Sequence, residues 1–202
     1  AAGTEDDGFD STQANLYLRH QVSDVFAAGL SALYIDSETE FDEGAAAGDG
    51  GPPFDEFTEA ESYGVRAFAE LNAGAFDHEV ALSYFERERK TFSTDRFSNF
   101  PTPIFFSLDR FKGERRRLEY RGSYDRGGIW ILNFGADYEE EEDLEQEIDI
   151  TGLQAELLIA PTDALDLALS VRNDDHSDFD SELSSRAALA WRIRDDLILR
   201  AS

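Results

Sequence analysis

The chain has no cysteine. It can therefore form no disulfide, no thiolate metal site and no cysteine nucleophile. Cations are scarce: 18 Lys and Arg stand against 44 Asp and Glu, a formal net charge of -26. Nucleic-acid phosphates require Lys and Arg clusters, so that balance argues against a nucleic-acid partner. No uninterrupted apolar run approaches the roughly 20 residues of a membrane helix. The start, Ala1–Asp10, is polar and acidic and is not a signal peptide. An outer-membrane protein needs such a signal, which would lie upstream of this chain.

What the chain does have is alternation with a period of two. One phase of each segment is apolar and free of charge, as in Leu16 and Leu18, Val80, Leu82 and Tyr84, or Trp130, Leu132, Phe134, Ala136 and Tyr138. The other phase is polar, as in Arg115, Arg117, Glu119 and Arg121, or Asn133, Gly135 and Asp137. About ten segments behave this way, each near the roughly 9–11 residues of a tilted transmembrane strand. A helix is disfavoured, because apolar positions recur at two rather than at three and four.

The connections alternate as well. Short links fall at Gln21–Asp24, Ala73–Asp77, Asp125–Gly128, Ala160–Ala164 and Arg194–Asp196. Long ones fall at Asp36–Phe57, Arg87–Lys112, Glu139–Asp149 and Asp174–Leu183. Short periplasmic turns and long extracellular loops are the habit of outer-membrane barrels. The apolar phase is rich in Ala and Leu rather than in close-packing β-branched residues. Tyr34, Tyr63, Tyr84, Tyr138 and Trp191 stand near segment ends, where an interfacial girdle would lie. The expected fold is all-β: an antiparallel up-and-down transmembrane β-barrel segment of about ten strands, or five hairpins, in one domain over residues 1–202.

Some stretches are more specific. Asp7-Gly8-Phe9-Asp10 leads into the first segment. Later come Arg172-Asn173-Asp174-Asp175-His176-Ser177-Asp178-Phe179, the run from Arg186 to Arg192 with Trp191 inside it, and a closing run from Asp195 to Ser202. These resemble the barrel of TonB-dependent outer-membrane receptors, most like the cobalamin (vitamin B-twelve) transporter group. The resemblance implies a barrel of about 22 strands, of which this chain would hold a little under half. It implies that the plug domain, the TonB-contacting segment and the final strands lie outside the chain. It implies no enzyme, but TonB-driven uptake of a scarce metal chelate, with cobalamin first and a ferric siderophore next. The implied partners are TonB, the plug, that ligand and outer-membrane lipid, for a monomer in the outer membrane of a Gram-negative bacterium.

Charge clusters supply the candidate sites. Carboxylates at alternate positions of Asp36–Glu43 could offer hard oxygen ligands to calcium, although the spacing is not that of an EF-hand. The resembled transporters order long extracellular loops with calcium, and the comparison puts Asp36 and Asp42 on acidic positions of such a loop. Glu88-Arg89-Lys90 and Asp95-Arg96 depart from the family's acidic pattern in the next loop. The run from Glu139 to Glu147 reads as a hydrated surface, with divalent ions bridging lipopolysaccharide as the other reading. Arg115, Arg117, Glu119 and Arg121 read as a lumen-facing wall with paired charges. Arg172, Asp174, Arg186 and Arg192 read as wall residues paired across neighbouring strands. Phe97, Phe100, Ile104, Phe105, Phe106 and Phe111 would either pack together or grip a large ligand.

Three other readings stay open. An enzymatic outer-membrane barrel needs His with a carboxylate, or Ser, His and Asn, on one rim. The turn pattern instead sets His20 and His78 at one end and His176 at the other. A complete ten-strand barrel with a structural or adhesive role would pair Ala14–Leu18 with Leu197–Ala201. A soluble sandwich would bury Trp130 and Phe134 between two layers.

Overall fold

The computed structural model describes residues 8–43, 54–95, 104–143 and 146–202. They form ten strands: β1 (Phe9–Gln21), β2 (Phe26–Glu43), β3 (Phe54–Ala73), β4 (Phe76–Asp95), β5 (Ile104–Asp125), β6 (Trp130–Glu142), β7 (Glu147–Thr162), β8 (Leu165–His176), β9 (Glu182–Arg194) and β10 (Leu197–Ala201). All ten lie in one sheet in chain order, each antiparallel to its neighbours. β1 and β10 are its two edges and do not pair. The closed ten-strand barrel is thereby corrected: Ala14–Leu18 pairs with Tyr34–Leu30 of β2 alone.

The register joins the apolar phases of neighbouring strands into one continuous face. Leu16 lies opposite Ala32, Ala32 opposite Val65, and Val65 opposite Tyr84. Leu82 lies opposite Leu118, and Leu118 opposite Tyr138. Leu157, Leu169 and Ala187 continue it to β9, where Trp191 lies opposite Leu199 of β10. A slip of one residue would turn a strand's whole apolar set to the charged face, so this alternation fixes the pairing. None of the described residues covers the face: Leu82 is 61% exposed and Leu153 56%. Among the described residues only Ala27, Phe68 and Ala81 are buried apolar side chains. A sandwich would have buried Trp130, which is 40% exposed. Among the described residues there is no second layer.

The two rims differ, and for a local reason. At one, strands turn within a few residues. β3 passes to β4 through Gly74 and Ala75, and β5 to β6 through Arg126–Ile129. Gly74 and Gly127 hold φ of 69° and 70°, the left-handed region that L side chains enter only at a cost. The Gly127 amide also donates to Asp125 Oδ1 at 2.6 Å.

At the other rim the connections are longer, yet much shorter than the sequence suggests. β2 to β5 run 18, 20, 20 and 22 residues, well beyond the expected 9–11. Most of Asp36–Phe57 and Arg87–Lys112 is therefore strand, and the connections shrink to 44–53 and 96–103. The other two shrink to 143–146 and 177–181. In these extensions hydropathy no longer alternates, but pairing persists through charge and hydroxyl contacts. Glu88 carries ion pairs to Lys90 and Arg110, each at 3.0 Å. The Thr58 and Thr91 hydroxyls lie 3.2 Å apart, and the Phe57 and Phe92 rings stack at 4.5 Å.

Candidate functional site: the charged wall and its outer rim

The polar phase lines a concave trough of about 720 Å³ bordered by Glu70, Arg121, Asn133, Glu156, Arg172 and Arg186. Its charges pair extensively, as alternate Arg and acidic residues on neighbouring strands should. Arg117 lies 3.3 Å from both Glu119 and Asp137, and 3.7 Å from Glu139. Arg115 pairs with Glu139 at 3.6 Å and with Glu141. Arg121 meets Glu119 at 2.8 Å. The paired-wall reading of β5 holds.

Several pairs skip a strand. Strands lie about 4.8 Å apart, so such a pair must cross roughly 10 Å of wall. Arg19 of β1 reaches Glu70 of β3 at 2.6 Å, across Ala27 and Gly29 of β2. Arg66 of β3 meets Glu79 of β4 at 2.7 Å and reaches Glu119 of β5 at 4.0 Å, across Ala81. Arg172 of β8 reaches Asp137 of β6 at 3.1 Å, across Gly152 of β7. Small residues on the polar phase make these crossings possible. A Cβ at Gly152 would collide with Arg172 Nη2 and stand 2.9 Å from both Asp137 oxygens. At Gly29 the ring of Phe68 takes the same space, with the Arg66 guanidinium 5.2 Å from the ring centre. Sequence reasoning missed this role. Its signal was a Gly or Ala in the polar phase beside charged partners: Ala27 opposite Glu70, Ala81 opposite Glu119, and Gly152 between Asp137 and Asp174.

β8 and β9 pair less than expected. Arg172 bonds Asp174 on its own strand at 2.6 Å, and Arg192 donates to the Asp163 carbonyl at 3.2 Å. Arg186 makes no hydrogen bond or ion pair among the described residues and stands free on the trough.

On the apolar face a row of tyrosines marks a change of chemistry. Tyr63 and Tyr84 each donate to Glu86 Oε2 at 2.6 Å. Tyr138 donates to Asp149 at 2.8 Å and Glu140 at 3.2 Å. Tyr34 belongs to the same row, opposite Tyr63, whereas Trp191 stands at the short-turn rim. Beyond the row the formerly apolar phase carries Glu86, Glu88 and Lys90 on β4 and Arg116, Glu114, Lys112 and Arg110 on β5. Hydrogen bonds from Tyr63 and Tyr84, then Lys112, hold the Glu86 carboxyl below the usual glutamate range. Lys112 in turn lowers Glu114, and both carboxylates raise Lys112. On the trough side, burial raises Glu139 despite Arg115 and Arg117.

The candidate calcium ligands do not form a flexible loop. Asp36 lies in β2 opposite Thr12 and Glu61. Asp42 lies six residues further along the same strand, opposite Asp55, with its side chain outside the described residues. Six extended residues span about 20 Å, too far for one ion to take both. Among the described residues the carboxylates that do converge are Glu140, Glu147 and Asp149, with ligand atoms within 4.8 Å of one another. The acidic run Glu139–Glu147 thus splits by phase: Glu139 and Glu141 face the trough and Glu140 the other side. Of the aromatic cluster, Phe97 and Phe100 and the side chains of residues 104–106 lie outside the described residues. Phe111 packs on Gly113 beneath Arg89, 5.9 Å from its ring centre. His20 and His78 stand near the short-turn rim and His176 near the other.

A ten-stranded meander with one uncovered apolar face and one ion-paired concave face is part of a barrel wall. The family described as TonB dependent receptor-like, beta-barrel, matches residues 1–202. The chain belongs to that family. Solved structures support the fold. The siderophore receptor PirA from Acinetobacter baumannii superposes with a TM-score of 0.75 at 15% identity, over 96% of this chain and 33% of its own. A mutant of the ferric enterobactin receptor PfeA from Pseudomonas aeruginosa gives 0.72 at 13%, over 96% and 32%. The outer membrane transporter YddB from Escherichia coli gives 0.67 at 15%, over 91% and 29%. The chain thus spans about a third of the length of the structures it matches. No curated protein matches it in sequence.

Proposed function

We propose that this chain is a wall segment of a TonB-dependent uptake receptor in a Gram-negative outer membrane. The single observation that carries the reading is the two-faced sheet. One face is uncharged across ten strands up to the tyrosine row, and the other is laced with ion pairs. The uncharged face suits lipid, and the tyrosine row suits an interface with water. The rim with glycine turns is then periplasmic and the rim with long ribbons extracellular. The remaining strands, the plug and the TonB contact come from the rest of the full-length receptor. No bond chemistry is assigned to these residues; they supply a rigid wall and recognition ribbons. A ferric siderophore is the proposed cargo, ahead of cobalamin, because similar walls occur in the receptors PirA and PfeA.

These 202 residues hold no cysteine, so a label can be placed at one chosen position once any cysteine elsewhere in the receptor is replaced by serine. Single variants Leu82→Cys and Leu157→Cys on one face, and Asn133→Cys on the other, are labelled with a fluorophore in the full-length receptor in vesicles. Lipid-borne nitroxides should quench the first two, and a water-soluble quencher the third. The reverse pattern would sink the membrane reading. Energy-dependent uptake of iron-loaded siderophore by cells carrying the receptor tests the cargo, and uptake of cobalamin alone would refute it.

A further inference from the structure

We propose that the outer band of β4 and β5 is a docking surface for the phosphate-bearing headgroup of a lipid in the surrounding leaflet. The inference rests on the membrane reading above. On the strands, the lipid-side phase carries lysine or arginine at only four described positions: Lys90, Arg110, Lys112 and Arg116. All four fall in one patch directly beyond the tyrosine row. Arg116 lies opposite Tyr84, and the next three rungs pair Glu86 with Glu114, Glu88 with Lys112, and Lys90 with Arg110. Three rungs, or six residues, rise about 20 Å along the strands, which the roughly 45° tilt of a membrane strand reduces to the depth of a headgroup layer.

The patch is layered. The carboxylates of Glu86, Glu88 and Glu114 lie close to the sheet, their side chains 13%, 23% and 20% exposed. Tyr63 and Tyr84 hold Glu86 there. The cations stand above them, with Arg110 60% and Arg116 56% exposed. An approaching anion therefore meets guanidinium before carboxylate. Arginine forks match phosphate geometry, and their five donors are not used up by one glutamate contact each.

The neighbours confine such an anion to this place. On one side the same phase carries Asp36, Glu38, Glu59 and Glu61, and on the other Glu140, Glu147 and Asp149. Both flanks repel phosphate. Below the patch Leu82, Leu118 and Val80 continue the apolar face, so acyl chains can descend from a headgroup held at Arg116. Charge and hydrophobicity are placed in the order in which a phosphorylated lipid presents them.

The test uses the full-length receptor in phosphatidylcholine vesicles with trace spin-labelled phosphatidic acid or spin-labelled phosphatidylcholine. Electron spin resonance reads the fraction of each lipid immobilised at the protein surface. Wild type should select phosphatidic acid. Arg110→Gln with Arg116→Gln, which leaves Lys90 and Lys112 to pair with the glutamates, should cut that selectivity on the order of tenfold, since each cation near a membrane contributes about fivefold. Arg110→Lys with Arg116→Lys should keep most of it. Unchanged selectivity in the glutamine variant would overturn the proposal, and so would selectivity that a divalent-ion chelator abolishes, which would move binding to the acidic flanks. Absence of any immobilised phosphatidylcholine would instead remove the membrane reading itself.

Discussion

Gly152→Ala gives the sharpest test of the wall's design. Arg172 reaches Asp137 only by passing over β7 at Gly152, where a methyl group would occupy the guanidinium's place. The substitution should push Arg172 aside and break its bonds to the Asp137 oxygens at 3.1 and 3.3 Å. Asp137 is only 7% exposed and would keep Arg117 alone. Losing charged hydrogen bonds to a buried group costs about 1.5–3 kcal/mol, and the partly solvated arginine argues for the lower end. Against this, alanine in a strand gains roughly 0.5 kcal/mol over glycine through backbone entropy. The net expectation is a loss of about 1 kcal/mol. In an Arg172→Ala background only the Asp137 carboxylate, 2.9 Å from the added Cβ, has to shift, so the same substitution should become near neutral, the backbone gain of about 0.5 kcal/mol being offset. The predicted coupling is therefore about 1 kcal/mol, read as the difference between the two arms of a double-mutant cycle. Urea unfolding of the full-length receptor, followed by tryptophan fluorescence, measures each corner. Equal effects in both backgrounds would refute the crossing as the reason for glycine.

Two further outcomes follow from the rims. Gly74→Ala and Gly127→Ala meet no atom within 4 Å, so their cost should be conformational alone, about 1–2 kcal/mol, while Gly128→Ala, equally open and without the left-handed φ, should be near neutral in the same assay. Glu86 titrates below the ordinary glutamate value of about 4.3, so its contribution is complete above that pH and is lost as pH falls through the lowered value; Tyr63→Phe with Tyr84→Phe should move its carboxyl titration upward toward the ordinary value in an NMR titration, and an unmoved curve would show that Lys112 alone sets it.

How much of this was legible in the residues varied along the strand. Where one face is apolar and the other polar, as at Val80, Leu82 and Tyr84 against Glu79, Ala81 and Ser83, alternation fixed face, phase and partner. Beyond Tyr84 both phases become polar, and the signal for strand disappears although the ladder continues. Asp36 to Glu43 looked like a loop for that reason. The calcium expectation rested on that loop reading; along a strand, alternate carboxylates share a face about 7 Å apart, and Asp36 and Asp42 stand about 20 Å apart. The charges of β5 were assigned correctly to the trough, since their partners lie on adjacent strands in phase. Arg172 was not fully assigned, because its partner Asp137 is two strands away and 35 residues earlier. No local pattern carries that information. Arg186, assigned a partner by analogy with its neighbours, has none among the described residues.

Each strand touches only the strands before and after it in the chain, and direction reverses at every step. Removing one strand would send the next the wrong way, placing a long ribbon where a tight glycine turn belongs. Removing two adjacent strands restores both direction and facing, and leaves every other register intact. The hairpin is thus the smallest piece that such a wall can gain or lose without being rewritten. Walls of this kind should differ in girth by even steps, with insertions tolerated wherever two turns of the same rim can be brought together.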